Sequence, residues 1–288
     1  DTVHFSGKWS DYTLTASGGT WTIKDNRAGA PEGQDVLRNV EFARFADRVV
    51  TNGFTLAPVV DTAFASILRA DAATAMLSNI TVDLVIKLAA GAPDAEVVST
   101  LVQAADATTS VAAMAYQFFT GKIPTASGFD YLVAPAGPNP NNLNSAYYQL
   151  FNLENRYINF AVNLGKMGEG QAAFAAKYGA LTLFEATREA YKTIFGGAPT
   201  DSKVHALIDT RVDYFASYGG DGANGLGTKA AMVGWLLAEA QKSDIGIMSR
   251  AVNLWLADVA DASAPYAVNV LDPTKSYYNA GWLFDGNQ

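Results

Sequence analysis

Hydrophobic and polar residues alternate one by one through Tyr12-Thr13-Leu14-Thr15, Thr20-Trp21-Thr22-Ile23 and residues 36–45, and Ser17-Gly18-Gly19, Asn26 and Gly29-Ala30-Pro31-Glu32-Gly33 interrupt the alternation. A period of two puts successive side chains on opposite faces of an extended chain, so this stretch predicts several short strands joined by tight turns. From Leu56 onward the period changes. Alanine becomes frequent and apolar residues recur every three or four positions, which predicts helices near 57–70, 72–90, 94–120, 144–165, 168–178, 182–195, 201–217, 228–242 and 247–261. Asp71, Asp94, Asn144, Thr182 and Asp201 stand just before such runs, where a side-chain oxygen can accept from the free N–H groups of a first turn. The expected protein is mainly α, a helical domain over 56–288 preceded by a small β segment over 1–55.

One arrangement recurs. Ala115-Tyr116 is followed by Gly121 and Pro124, and Ala190-Tyr191 by Gly196 and Pro199 at the same spacing. Each copy reads as an aromatic helix end closed by a glycine able to turn left-handed, with proline barring continuation. A recurrent helix stop explains the glycine and proline, whereas an internal duplication also explains the matching Ala-Tyr.

Composition narrows the function. With 288 residues and 49% apolar content, the chain can bury two cores of ordinary size. The longest apolar stretches, at 84–90 and 232–238, are interrupted by Lys87 and Gly234 and fall short of the roughly 20 residues a membrane span needs. No membrane insertion is expected. A net charge of −8 argues against a surface that tracks nucleic-acid phosphates. The lack of cysteine removes disulfides, Cys-ligated zinc and Cys nucleophiles, and fits a protein exported unfolded. The chain begins at Asp1 in what reads as the middle of a β pattern, with no leader before it, so a larger parent chain is expected.

Catalytic motifs are sparse. The two histidines, His4 and His205, lie far apart in sequence, and neither G-x-S-x-G nor H-E-x-x-H occurs. Gly220-x-Gly222-x-x-Gly225 has the letters of a dinucleotide fingerprint but follows a predicted helix rather than a strand. It also fits one calcium-binding nonapeptide, with Asn224 at an aspartate position. A single copy cannot stack, so a glycine-rich loop between helices is the better reading. For calcium the candidate oxygen donors are Asp25, Asp35, Glu41 and Asp47, with Asp221 and Asn224 in the glycine loop, although turn capping accounts for some of them.

Two resemblances enter at specific residues. Asp11-Tyr12, Ile23-x-Asp25, Arg27-Ala28-Gly29, residues 32–37, Asn39-Val40-Glu41-Phe42 and Phe45-Ala46-Asp47 look like the segment that closes the calcium-binding β-roll of RTX exoproteins, over about residues 1–50. Residues 116–121, 127–133, Asn142-Leu143-Asn144-x-Ala146-Tyr147-Tyr148 and 154–160 resemble the N-terminal anchoring domain of the Caulobacter S-layer protein, over about 91–199, and the similarity thins beyond 200. These resemblances imply type I secretion, an extracellular place on the bacterial outer cell surface, and a non-catalytic helical anchor for the O-antigen of lipopolysaccharide. Other S-layer subunits are further expected partners. The alternative is the C-terminal region of a secreted RTX-type hydrolase, such as a metalloprotease, with its active site upstream.

The expected binding surface is the helix over 144–165. Gln149, Asn152, Arg156, Asn159 and Asn163 recur at three- and four-residue spacing as one polar stripe, with Asn155 beside it. Asparagine inside a helix costs up to about 0.7 kcal/mol relative to alanine, so several in a row need a reason. One reason is hydrogen bonding to sugar hydroxyls, with Tyr147, Tyr148 and Tyr157 offering flat faces to ring C–H groups. The other is that these amides pin neighbouring loops from inside the fold.

Overall fold

A computed structural model describes residues 1–17, 20–40, 42–47, 49–51, 62–70, 92–260 and 263–286. The chain forms two compact units, Asp1–Ala65 with Ala70–Thr100, and Ser66–Arg69 with Leu101–Gln288.

In the first unit, β2 (Tyr12–Ser17), β3 (Thr20–Asp25) and β4 (Gln34–Arg38) form an antiparallel meander, and β1 (Thr2–His4) pairs parallel with β5 (Phe42–Arg44), itself antiparallel to β6 (Val49–Thr51). The alternation anticipated for residues 20–23 holds, with Trp21 and Ile23 inward, and it continues to Asp25. Trp21 and Ile23 join Phe5, Tyr12, Ala43 and Phe45 in one core. The buried Asp25 is satisfied locally. Its oxygens accept from Arg27 Nε at 2.9 Å and Nη2 at 2.8 Å and from the main-chain N–H groups of Arg27 and Glu32. The guanidinium holds its carboxyl well below the usual range.

The second unit is helical, as expected of a mainly α chain. In chain order the helices are α1 (Asp94–Ala104, whose last residues belong to this unit), α2 (Thr109–Thr120), α3 (Ala126–Leu132), α4 (Ala146–Gln149), α5 (Leu153–Val162), α6 (Gln171–Tyr178), α7 (Leu183–Phe195), α8 (Asp201–Ile208), α9 (Val212–Gly219), α10 (Leu226–Ser243) and α11 (Ile247–Val259). Three expected helices are broken by local chemistry. The run 94–120 is interrupted by a 3-10 turn at Ala105–Ala107, and 201–217 breaks after Ile208. The run 144–165 breaks because Asn152 takes an extended conformation and caps α5, accepting from Asn155 N–H at 2.8 Å. α3 was not anticipated: about two turns, seven residues, are too short to display a period. The expected helix at 72–90 lies outside the described residues, as do residues 57–61 of that at 57–70, where Phe64–Leu68 is π-helical.

α10 organises this unit. It is buried all round, from Gly227 through Ala238, and packs chiefly on α5, then on α9 and α7. A helix with no polar face belongs at the centre of a bundle. Its contact with α5 is made at backbone distance, because a Cβ on Gly234 would lie 2.7 Å from Ile158 Cα, 2.7 Å from Tyr157 O and 2.9 Å from Ala161 Cβ. The one buried cation of α10, Lys229, is 1% exposed and donates to Tyr178 O and Gly179 O at 3.0 Å each, closing the C-terminal end of α6.

The repeated helix stop is a real structural unit. Gly121 (φ 78°) and Gly196 (φ 89°) both turn left-handed at the ends of α2 and α7. After each proline a threonine, Thr125 or Thr200, caps the next helix by accepting from the N–H three residues on. Each stop also receives the C-terminal segment. Ala267 N–H donates to Pro124 O and Ile123 N–H to Val268 O, while Phe284 N–H donates to Phe195 O at 2.8 Å.

Replacing Gly234 by Ala tests the crossing. A methyl forced between two backbones costs about 1–3 kcal/mol, more than the ~1 kcal/mol of helix propensity it gains. The urea midpoint of G234A is therefore expected to fall with an unchanged slope; a midpoint equal to that of the unsubstituted chain would rule out the close approach.

Candidate functional site

The strongest concentration of unusual residues lies between α3 and α5. Residues 133–152 carry five asparagines and form a connection that bonds to itself. Asn139 O accepts from Asn142 Nδ2 at 2.8 Å, Asn142 Oδ1 from Asn144 N–H at 2.9 Å, and Val133 O from Asn144 Nδ2 at 2.7 Å. Gln149 Nε2 donates to Asn144 O at 3.0 Å, and Ser145 caps α4. Asparagine suits this work because its short amide reaches main-chain groups two or three residues away. The result is a long irregular loop with an internally satisfied frame.

Arg156 reaches this frame from α5. Its Nη1 donates to Ala107 O and Leu143 O at 3.0 Å each, and its Nε to Phe151 O at 3.1 Å. Burial lowers the proton affinity of the guanidinium. Within the frame, Tyr147, Tyr148 and Phe151 form a ring cluster with centroids 5.0–6.1 Å apart. Tyr148 is buried, with Asn163 at its hydroxyl, and burial raises its pKa. Tyr147 is 50% exposed, Leu150 83%, and Tyr131 at the end of α3 52%.

A second group continues this surface. Tyr116 on α2 has its ring 6.4 Å from Phe160 and donates its hydroxyl to Glu169 Oε2 at 3.2 Å. Its phenol is pushed up to about 12 by burial, then by the Glu169 charge and hydrogen bond, with a smaller contribution from Tyr131. Phe160 and Asn163 stand three apart on one helical run and link the two groups. The surface thus offers half-exposed rings edged by amide and carboxylate groups.

The expected polar stripe is corrected in part. Gln149 and Asn152 are not on one helix with Arg156, because the break at residues 150–152 separates them. Tyr157 is fully buried with its hydroxyl 3.2 Å from Met114 Sδ, and Tyr148 is 4% exposed, so neither ring presents a face to a ligand. Asn152 is exposed but engaged as a cap. Asn155 Oδ1 accepts from Tyr214 at 3.1 Å, and Asn159 Nδ2 donates to Asn155 O at 2.8 Å. Tyr147 and Asn163 are exposed. Tyr116 and Tyr131 enter the sequence analysis only through the repeat and the resemblance, not as binding residues; the density of asparagine over 139–144 is the signal for the loop.

The calcium candidates are dispersed. Asp25 is engaged as described, Asp35 lies in β4 opposite Ile23, and Asp47 Oδ1 accepts from Trp9 N–H at 2.7 Å. Glu41 lies outside the described residues. Asp221 accepts from Gly227 N–H and from Thr228 N–H and Oγ1, and Asn224 Oδ1 from Leu183 N–H, so the glycine loop caps α10 and α7. Among the described residues no three His, Cys, Asp or Glu side chains converge as a metal site requires. His205 is exposed on α8, beside Asp209 at 3.1 Å.

The model of the RsaA N-terminal domain matches residues 108–280, more than half of the chain. The chain belongs to the RsaA N-terminal domain family. The match runs well past residue 199, taking in α8 to α11 and most of the C-terminal segment, and it covers the whole candidate surface. The RsaA N-terminal domain is an S-layer-related, cell-surface anchoring domain, not a catalytic one. No curated protein matches. Among the described residues no helix of this RsaA-type chain is long and apolar enough to cross a membrane.

One titratable group lies next to the frame. Asp106, adjacent to the Ala107 carbonyl that Arg156 holds, accepts from Gln241 Nε2 at 2.6 Å and is pushed up to about 6, chiefly by burial, with the Asp244 charge adding to the rise. A carboxyl whose folded value lies above its ordinary 3.8 keeps a proton that the unfolded chain releases, so its contribution to stability is present below the ordinary value and lost as pH rises through about 6. Asp106→Asn removes the desolvated charge. The variant is expected to melt higher than the unsubstituted chain at about pH 7.5, with the difference shrinking by about pH 4.5. A difference constant across that range, read by thermal melts, would contradict the assignment.

Proposed function

We propose that the helical unit anchors its parent protein to the outer cell surface by binding the O-antigen polysaccharide of lipopolysaccharide, without chemical turnover. The observation that carries this reading is the half-exposed Tyr147 on a self-bonded loop, with the half-exposed Tyr131 at the end of α3 and the exposed Asn163 after α5, all within the family-matched region. Aromatic faces suit the C–H faces of pyranose rings, and amides suit their hydroxyl pairs. Charge supports the choice of ligand region. A chain of net charge −8 is repelled by the phosphates of the inner core, whereas an uncharged sugar chain carries no such penalty. Moderate contacts of this kind gain strength when many copies sit on one membrane. Neighbouring surface-layer subunits are the second class of partner in this reading.

The test is co-sedimentation with vesicles. Smooth lipopolysaccharide is expected to carry the protein down and rough lipopolysaccharide, which lacks O-antigen, to leave it in solution. Tyr147→Ala, which removes an exposed ring, should weaken binding roughly fivefold, the equivalent of about 1 kcal/mol, with little change in melting temperature. Equal sedimentation with both vesicle types, or with neither, would end the proposal.

A further inference from the structure

Arg156 was expected to bind ligand directly, yet its geometry describes another task. Its three hydrogen bonds all go to main-chain carbonyls, in three separate segments. Leu143 and Phe151 stand on either side of α4, the short helix that displays Tyr147, and Ala107 belongs to the turn between α1 and α2. One planar group therefore clamps both ends of the segment carrying the exposed ring and ties them to the body of the unit. Arginine suits this because its fork points several donors in fixed directions, which a lysine ammonium cannot reproduce. No carboxylate among the described residues forms an ion pair with it, so the charge serves carbonyl dipoles rather than a counterion.

From this arrangement we infer that Arg156 is a positioning residue of the glycan surface: it fixes the loop over residues 143–151 in its binding conformation and does not itself touch the sugar. The inference rests on the glycan reading above. The loop is otherwise joined to the body by few bonds, among them Leu143 N–H to Leu132 O at 2.8 Å and Asn144 Nδ2 to Val133 O at 2.7 Å. Without the clamp, the three carbonyls turn to water and the segment samples other conformations. Binding must then select the competent one, and affinity falls by the fraction lost.

Two variants and two readouts decide the matter. Arg156→Ala should sediment with smooth lipopolysaccharide vesicles about tenfold more weakly, and Arg156→Lys should fall between it and the unsubstituted chain. Hydrogen exchange is measured on the same proteins. The expected result is faster exchange of the loop amides, Leu143, Asn144 and Tyr148 among them, with α10 as protected as before. Lost binding with unchanged loop exchange would make Arg156 a direct ligand and overturn the inference. Faster exchange throughout α10 would make it a general core residue, and retained binding with a loosened loop would show that the clamp is irrelevant; both also overturn it. Failure of the unsubstituted chain to sediment with smooth vesicles overturns the glycan reading itself, and the positioning role with it, whatever the loop amides do.

Discussion

The backbone contact between α10 and α5 at Gly234 is the constraint on which the second unit depends. Two helices at ordinary separation leave room for side chains between them, but here the Cα of Ile158 and the carbonyl of Tyr157 occupy the space a single methyl would need. The approach fixes the height and rotation of α5 on the buried α10. With that rotation set, Tyr157, Ile158 and Ala161 enter the core, a side chain the size of Ile158 contributing about 1.5–3 kcal/mol by leaving water. Asn155, Arg156 and Asn159 are turned away from it by the same geometry.

This division of α5 explains its composition. A helix rich in asparagine is intrinsically weak, and packing against α10 supplies the stability that propensity does not. The amides in turn have defined partners: Asn152 caps the helix, Asn155 receives Tyr214, and Asn159 bonds back to the Asn155 carbonyl. The pinning explanation thus holds for most members of the stripe. Asn163, at the far end, stays exposed beside the Tyr148 hydroxyl.

Much of the fold was legible because it is written in local chemistry. The three- and four-residue period located α6, α7, α10 and α11, the Thr182 cap is present with its Glu185 partner, and the two glycine stops have the left-handed geometry their spacing implied. What failed was continuity. A period computed over 144–165 cannot detect that Asn152 prefers an extended cap conformation, since the apolar spacing is nearly preserved across the break. Tyr157 was misplaced for a related reason: a tyrosine at the boundary of polar and apolar faces reads the same whether its ring points at solvent or at Met114. The family likeness extends further than the motifs indicated, and the C-terminal segment within it is held to the body by main-chain bonds at Ile123 and Pro124, which leave no mark in side-chain motifs.

On the glycan reading proposed above, the placement of the exposed rings bears on how an anchor can hold a flexible polymer. An extended glycan loses rotational freedom on binding, and a surface that also had to order itself would pay a second entropic cost. A loop whose own polar groups are already bonded, through Asn142, Asn144 and Gln149, has less to lose. Because Leu143 and Phe151 are held by a residue of α5, the rigidity of the loop derives from the α5 and α10 crossing rather than from the loop alone. The close approach at Gly234 and the presentation of Tyr147 are consequently parts of one mechanical chain, running from a missing side chain in the core to an aromatic ring at the surface.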